Sequence, residues 1–328
     1  MIDAFVTRLA DVFGAAQQTV FEAAVAPVMF AIGLGNLLED AFAATGWLLV
    51  GVIEIAVLIG GIGALERWRP VAPVTDRSGV RTDILYTLVH RLGLFRVLLF
   101  FLVDPLWDWT FAELRLVGWQ VWQLDELVGR WWPGVTDTAW FGLVAYLVVL
   151  DFAGYWIHRA QHAANWWWAL HALHHSQREM TMWSDNRSHL LDDLIRDGIL
   201  VMLAHAIGVA PGQFVAIVVC TQLLESLAHA NVRIGFASLE RLLVSPRYHR
   251  LHHAIGVGHE SAGPNSLGGH NFAVLFPLWD IVFRSAKFAD TFPPTGIRDQ
   301  LPEHGGRDYG DGFWRQQWLG LRRLFGAR

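Results

Sequence analysis

The sequence predicts an all-α integral membrane protein, with about four or five transmembrane helices and histidine-rich polar segments beyond them. Three observations carry this. Hydrophobic residues make up 53% of the 328 residues, with 17 Trp and 20 Phe, and the mean hydropathy is +0.33, a composition suited to lipid rather than water. Apolar runs of roughly 20 residues recur, long enough to cross a bilayer core. The polar stretches after them hold most of the 15 histidines, in groups rather than scattered. A net charge of −5 implies no basic surface and no nucleic-acid partner. Cys220 is the only cysteine, which excludes internal disulfides and cysteine-based zinc or iron–sulfur sites.

Residues 1–44 read as an N-terminal interfacial or additional membrane segment. Ile2, Phe5, Val6, Leu9, Val12 and Phe13 recur with helical period, and the apolar stretch 20–38 is interrupted by Glu22 and Pro27. The core follows over residues 45–285. Its first crossing is 45–65, ending at Glu66-Arg67-Trp68-Arg69, with Glu54 in mid-span expected to face another helix. Residues 83–107 are the second expected crossing, with His90, Arg91 and Arg96 in its first half near the water boundary. The Trp-rich stretch 108–137 reads as amphipathic and lying at the opposite interface. Residues 138–157 cross again and run directly into His158. Asp151 precedes His158 by seven residues and shares its helix face. It either bonds a ligand imidazole or is satisfied by a neighbouring helix. Residues 194–209 and 211–230 read as a helical hairpin broken at Ala210-Pro211-Gly212, and the second arm ends at Glu225, His229 and Asn231. The C-terminal tail, 286–328, contains FWRQQWLGLRRLF from Phe313, an interfacial amphipathic helix.

Counting crossings puts every histidine group at one face. The loops on that face carry Arg67, Arg69, Arg77, Arg81, Arg159, Arg178, Arg187, Arg233 and Arg241, against Arg115 and Arg130 opposite. Positive-inside bias makes the histidine face cytoplasmic.

The groups are His158-x-x-x-His162, His171-x-x-His174-His175 and His249-x-x-His252-His253. Spacings of three and four put side chains on one helix face, a turn apart. With 15 histidines an HxxHH match is expected by chance only ~0.03 times, and here there are two. Imidazole suits Fe, Zn and Cu. Eight histidines exceed what one tetrahedral zinc needs, so two metal ions are expected.

The chain resembles the fatty acid hydroxylase/sterol desaturase superfamily of membrane oxygenases. The resemblance rests on His158-Arg159-x-x-His162, His171-x-x-His174-His175-Ser176, Arg187-x-His189, His229-Ala230-Asn231 and Pro246-Arg247-Tyr248-His249-Arg250-x-His252-His253. It rests also on Asn271-Phe272 followed by Leu278-Trp279-Asp280-x-x-Phe283, and covers roughly residues 45–285. It implies a four-helix membrane base under a cytoplasmic cap holding a dimetal centre, usually two iron ions, with zinc as a substitute in purified protein. The implied ligands are His158, His162, His171, His174, His175, His249, His252 and His253, with His229 as a further one. Some members carry a histidine where this chain has Glu225, which is expected as a ligand or as support behind one. His189, Asp151 and Asn231 are expected in the same supporting role. The implied activity is that of an O2-dependent monooxygenase hydroxylating or desaturating a lipid (fatty acyl, sterol or related). An external donor such as a cytochrome b5-like protein, a ferredoxin or a flavoprotein reductase would supply electrons. Asn271-Phe272-Ala273 and Phe283-Arg284-Ser285 depart from the usual Asn-Tyr-Gly and Phe-Gly-Thr, and a Gly-rich insertion precedes Asn271. Its His259 and His270 read as exposed loop residues.

Two other classes use some of these features. A membrane zinc hydrolase of a lipid amide or ester needs three ligands, with Glu225 or Asp151 as base, and leaves five or more histidines spare. A bis-histidine haem electron carrier places its pair within the spans, not in polar segments beyond them.

Overall fold

A 30-residue helical arm opens the chain: α1 (Ile2–Val20) passes through a π turn (Phe21–Val25) into α2 (Ala26–Ala31). The computed structural model describes residues 2–119, 121–135, 139–257 and 268–326. The arm leans on α3 (Leu38–Val57) through the Phe21–Phe42 rings, 5.2 Å apart, and a bond from Gln17 Nε2 to the Phe42 carbonyl. Val28, Phe30 and Ile32 remain exposed.

α3 continues through a second π turn (Leu58–Ile62) into α4 (Gly63–Trp68). This is one of three stretches long and apolar enough to cross a membrane among the described residues: Gly35–Trp68, Trp140–Ala163 and Gly212–His229. Val52, Ile53 and Ile59 are half-exposed on its outer face, where lipid rather than water would cover them. Glu54 turns inward and pairs with Arg91 at 3.0 Å.

The expected single crossing at 83–107 is not one helix. The chain forms α5 (Arg77–Arg91), breaks at Leu92 and Gly93, and restarts as α6 (Leu94–Leu102) and α7 (Asp104–Leu116). Gly93 takes φ +86°, a conformation costly for residues with a Cβ. The cause lies in the last two residues of α5. His90 pairs with Asp193 at 3.0 Å, and Arg91 with both Glu54 and Asp185. These buried pairs hold the end of α5 against its neighbours, so neither residue reaches for the water boundary. α8 (Leu124–Trp131) follows, with Trp122, Trp131 and Trp132 exposed around it, as expected for an interfacial belt.

α9 (Ala139–Ala163), α11 (Leu190–Ile207) and α12 (Pro211–His229) form the bundle under the site. Tyr146 and Leu150 pack there on Ala204 and Ile217. The cap consists of α10 (Asn165–His175), α13 (Pro246–His252), α14 (Leu278–Val282) and the tail helix α15 (Phe313–Leu324). α15 buries Phe313, Gln316, Gln317 and Gly320 and leaves Trp314, Trp318 and Phe325 exposed. That division is what an amphipathic interfacial helix requires. Among the described residues there are helices and loops, one isolated bridge between Ala254 and Thr295, and no sheet.

Candidate metal centre and its cavity

The histidine-bearing elements end at one place. His158 and His162 sit on the last turns of α9, His171, His174 and His175 on α10, His229 at the end of α12, His249 and His252 on α13, and His253 just past its end. Separated stretches therefore converge: the rings of His158 and His252 are 4.5 Å apart, and those of His175 and His253 are 4.3 Å apart and stacked. All nine histidines are buried.

Their nitrogens fall into metal-sized groups. His158, His162, His171 and His175 form one set and His174, His229, His249 and His253 another, while His175, His252 and His253 link the two. In each set the candidate ligand atoms lie within 4.8 Å of one another. The sets contain histidines alone.

The orientation of the rings has a local cause. Five of them donate from Nδ1 to a fixed acceptor: His158 to the Phe272 carbonyl (2.9 Å), His171 to Asp192 (2.9 Å), His174 to the Arg187 carbonyl (3.2 Å), His229 to the Glu225 carbonyl (2.8 Å) and His252 to the His270 carbonyl (2.8 Å). A carbonyl only accepts, so each Nδ1 facing one carries the proton and Nε2 is left as a bare lone pair. The Nε2 atoms of His158, His171, His175 and His252 are buried with no hydrogen-bond partner among the described residues. The Nε2 atoms of His174 and His229, both bare by the same reasoning, face each other at 3.2 Å. Two facing lone pairs repel, and a shared cation removes the conflict. The donor set thus fits imidazole-binding transition metals.

Electrostatics agree. Burial, and after it the neighbouring imidazoles, hold His174, His175, His249 and His253 well below the usual histidine range, while His252 is pushed down to about 3 by burial above all. Neutral imidazole is the form that binds metal.

The expected supporting residues act differently from one another. Asp151 touches no imidazole: it accepts from the Leu275 and Phe276 amides (2.8 and 3.3 Å) and from Trp279 Nε1 (2.8 Å). It is a buried group satisfied by the segment packed on α9, and it acts on His158 one step removed. That segment carries Phe272, whose amide, with those of Ala273 and the Tyr248 hydroxyl, converges on Asp280. Asn271, at φ +60°, clamps the same turn to the Tyr248 and Lys287 carbonyls. His189 lies outside the metal-sized groups. Its Nδ1 caps α11 by accepting from the Leu191 amide, and Nε2 donates to the Gln317 carbonyl, so it joins the tail helix to the core. Asn231 clasps both backbone groups of Ala72. Glu225 supplies its backbone carbonyl to His229, while its side chain lines the adjoining cavity.

His270 is not an exposed loop residue. It is half-buried, its carbonyl orients His252, and burial pushes its own ring down to about 4. His259 lies outside the described residues.

Sequence reasoning missed Asp192 and the role of Arg187. Asp192 accepts from His171, from Gln161 Nε2 (2.7 Å) and from Trp167 Nε1 (2.7 Å). The available signal was the acidic pair Asp192-Asp193 at the head of an apolar helix, where uncompensated charge is costly. Arg187 pairs with Asp83, which fixes the backbone carbonyl that His174 uses.

A cavity of about 210 Å³ opens onto His158, His171, His174, His229 and His249. Toward the bundle its wall combines apolar side chains, Leu147, Leu150, Leu200, Phe214 and Ile217, with a polar group formed by Arg96, Arg196, Asp197, Gln222 and Glu225.

Residues 143–285 match the fatty acid hydroxylase family, a stretch that contains all nine histidines. Ornithine lipid hydroxylase OlsE of Rhizobium tropici is 30% identical over 138 residues, 42% of this chain and 41% of that protein. Alkylglycerol monooxygenase of Homo sapiens is 27% identical over 175 residues, 53% of this chain and 36% of that protein. Delta(7)-sterol 5(6)-desaturase ERG3B of Gibberella zeae is 28% identical over 110 residues, 34% of each. The chain thus spans well under half the length of these curated relatives. No solved structure matches it. The family match and the convergent histidine groups fall on the same residues, so it is the histidine-bearing part of this chain that is similar to the fatty acid hydroxylase family.

Proposed function

We propose that this protein is an O2-dependent membrane oxidoreductase that hydroxylates, or desaturates, an unactivated C–H bond of a lipid at a di-iron centre. The observation that carries the reading is the paired four-histidine grouping, with buried and unpartnered nitrogens, at a cavity that Leu147, Leu150, Phe214 and Ile217 line from the membrane helices. His158, His162, His171 and His175 would hold one iron, His174, His229, His249 and His253 the other, with His252 between them. Bound iron supplies the O2 and C–H chemistry that no side chain offers. The chain supplies the rest. The carbonyls of Phe272, Arg187, Glu225 and His270, and the Asp192 carboxylate, aim the imidazoles, while burial keeps those of His174, His175, His249, His252 and His253 neutral. Leu147, Leu150, Phe214 and Ile217 receive an acyl or ring system and exclude water from it.

The overall balance, lipid C–H plus O2, two electrons and two protons giving alcohol and water, requires an external electron donor. Residues 45–285 constitute the oxygenase core, the segment 1–44 an added membrane-associated arm, and 286–328 a tail anchored by α15. The arginine distribution supports a cytoplasmic site. The names of the relatives, a lipid hydroxylase, an ether-lipid monooxygenase and a sterol desaturase, support a lipid substrate.

Metal analysis of the purified protein tests the reading. Two irons per chain, with O2 uptake that needs both reductant and lipid, is the expected result. One zinc per chain would favour the hydrolase, and a haem absorption band the electron carrier. Mass spectrometry of lipids from cells with and without the protein then identifies the product.

A further inference from the structure

Beyond the histidines, the cavity continues into a smaller chamber of about 60 Å³ between the α5–α6 junction, residues 185–197 and α12. Arg96, Arg196, Asp197 and Glu225 line both spaces. Charge placed between membrane helices is costly unless it is cancelled nearby, and most of the charge here is. Arg196 pairs with Asp193 at 3.2 Å and with Asp197 at 2.8 Å, Asp193 also meets His90, and Asp185 meets Arg91.

Two groups are left over. Arg96 lies over the Trp47 ring, 3.5 Å from its centroid, and among the described residues no hydrogen bond or ion pair meets its guanidinium, which Asp197 and Glu54 attract only from beyond contact distance. Glu225 gives its backbone carbonyl to His229, while its carboxylate has no donor partner among the described residues. The polar atoms of neither side chain are sealed away from the cavity. Opposite charges thus face one space with their hydrogen-bonding capacity unused, and they are not paired with each other.

We propose that this chamber is the head-group site of the substrate and that it takes a zwitterionic amphiphile, with a phosphate or carboxylate bonded to Arg96 and a primary ammonium bonded to Glu225. The inference rests on the reading of the histidine cavity as the lipid site. The charge balance of the walls selects among head groups. Asp185 and Asp193 are met by Arg91 and His90, and Asp197 by Arg196, so Arg96 and Glu225 decide, and a purely anionic head leaves Glu225 unmet. A purely cationic head leaves Arg96 unmet, and a neutral head leaves both groups unmet. Only a head carrying both signs satisfies the two free groups with charge-assisted hydrogen bonds.

The test is binding to the metal-loaded, full-length protein in a neutral detergent, with three single-chain probes of equal acyl length: lysophosphatidylethanolamine, lysophosphatidate and monoacylglycerol. The wild type is expected to bind the zwitterion about tenfold more tightly than either of the others. Arg96→Gln should weaken zwitterion binding about tenfold, Arg96→Lys should restore most of it, and Glu225→Gln should bring the zwitterion to the level of lysophosphatidate. Equal affinity of the wild type for all three probes overturns the proposal. So does an Arg96→Gln protein with unchanged zwitterion affinity and unchanged melting temperature. Should Arg96→Gln not fold, the wild-type series and Arg96→Lys decide. Metal content and O2 uptake are read separately. A protein that ranks the probes but consumes no O2 sinks the oxygenase reading alone, and an active protein that does not rank them sinks this one alone.

Discussion

Five of the nine imidazoles in the cluster are each aimed by what Nδ1 touches. Asp192 is the one carboxylate among these anchors, and it is itself held by Gln161 and Trp167. Asp192→Asn keeps the shape but weakens the hold on His171, and should lower metal affinity about tenfold or more, as read by metal titration. His162→Ala and His249→Ala remove ligands from different four-histidine sets. Each should lower the metal content of the purified protein by about one ion while the other position stays filled. Loss of both ions from either variant would mean a single shared site. Protonation follows the same local logic. In the metal-free protein, burial and neighbouring rings keep His174, His175, His249, His252 and His253 below the usual range, His252 at about 3, whereas in the unfolded chain they titrate near ~6.5. The unfolded chain therefore binds more protons below that pH. Stability is full above about 6.5 and falls as pH drops toward 3. The melting temperature of the metal-free protein should be lower at pH 5 than at pH 7, and a flat or rising profile would contradict the burial of neutral rings.

At the scale of elements, α3 and α5 meet at Gly51, where a Cβ would lie 1.7 Å from the Arg91 carbonyl oxygen. Only glycine permits that approach, and the approach brings Arg91 to Glu54. Gly51→Ala should cost about 1–3 kcal/mol or more, measured as a fall in melting temperature in detergent. Arg91→Met acts on the same joint by a different route. It leaves Glu54 and Asp185 buried without their partner, an arrangement that typically costs about 3–5 kcal/mol. The tail helix is fixed more gently, with Gln317 donating to the Tyr86 hydroxyl and the Ser188 carbonyl while its own carbonyl accepts from His189.

The whole molecule stacks a lipid-facing bundle beneath a polar cap, with the histidines at their junction and a cavity running down between α9, α11 and α12. If the arginine distribution sets the orientation, the cap faces the cytoplasm. Glu303 is exposed on the cap side of the tail. A Glu303→Cys protein with Cys220→Ala should react with a membrane-impermeant maleimide in inside-out vesicles and not in right-side-out ones, and the reverse pattern would overturn the assignment.

Amino-acid spacing alone determined that each histidine box presents its rings together, because three- and four-residue intervals share a helix face whatever surrounds it. Hydropathy located the apolar stretches 45–65, 138–157 and 211–230 for an equally local reason, and each falls largely within a helix long and apolar enough to cross a membrane, Gly35–Trp68, Trp140–Ala163 and Gly212–His229. Tertiary structure alone decided what stands behind each ring. His171 finds Asp192 across 21 positions and His158 finds the Phe272 carbonyl across 114, choices made by packing that no local period encodes. It also decided against one helix over 83–107, because a hydropathy average does not register that His90 and Arg91 must stop level with Asp193, Glu54 and Asp185. Asp151 shows the same division: its face was legible from its register with His158, but its partner was set by a loop folded back from beyond residue 270.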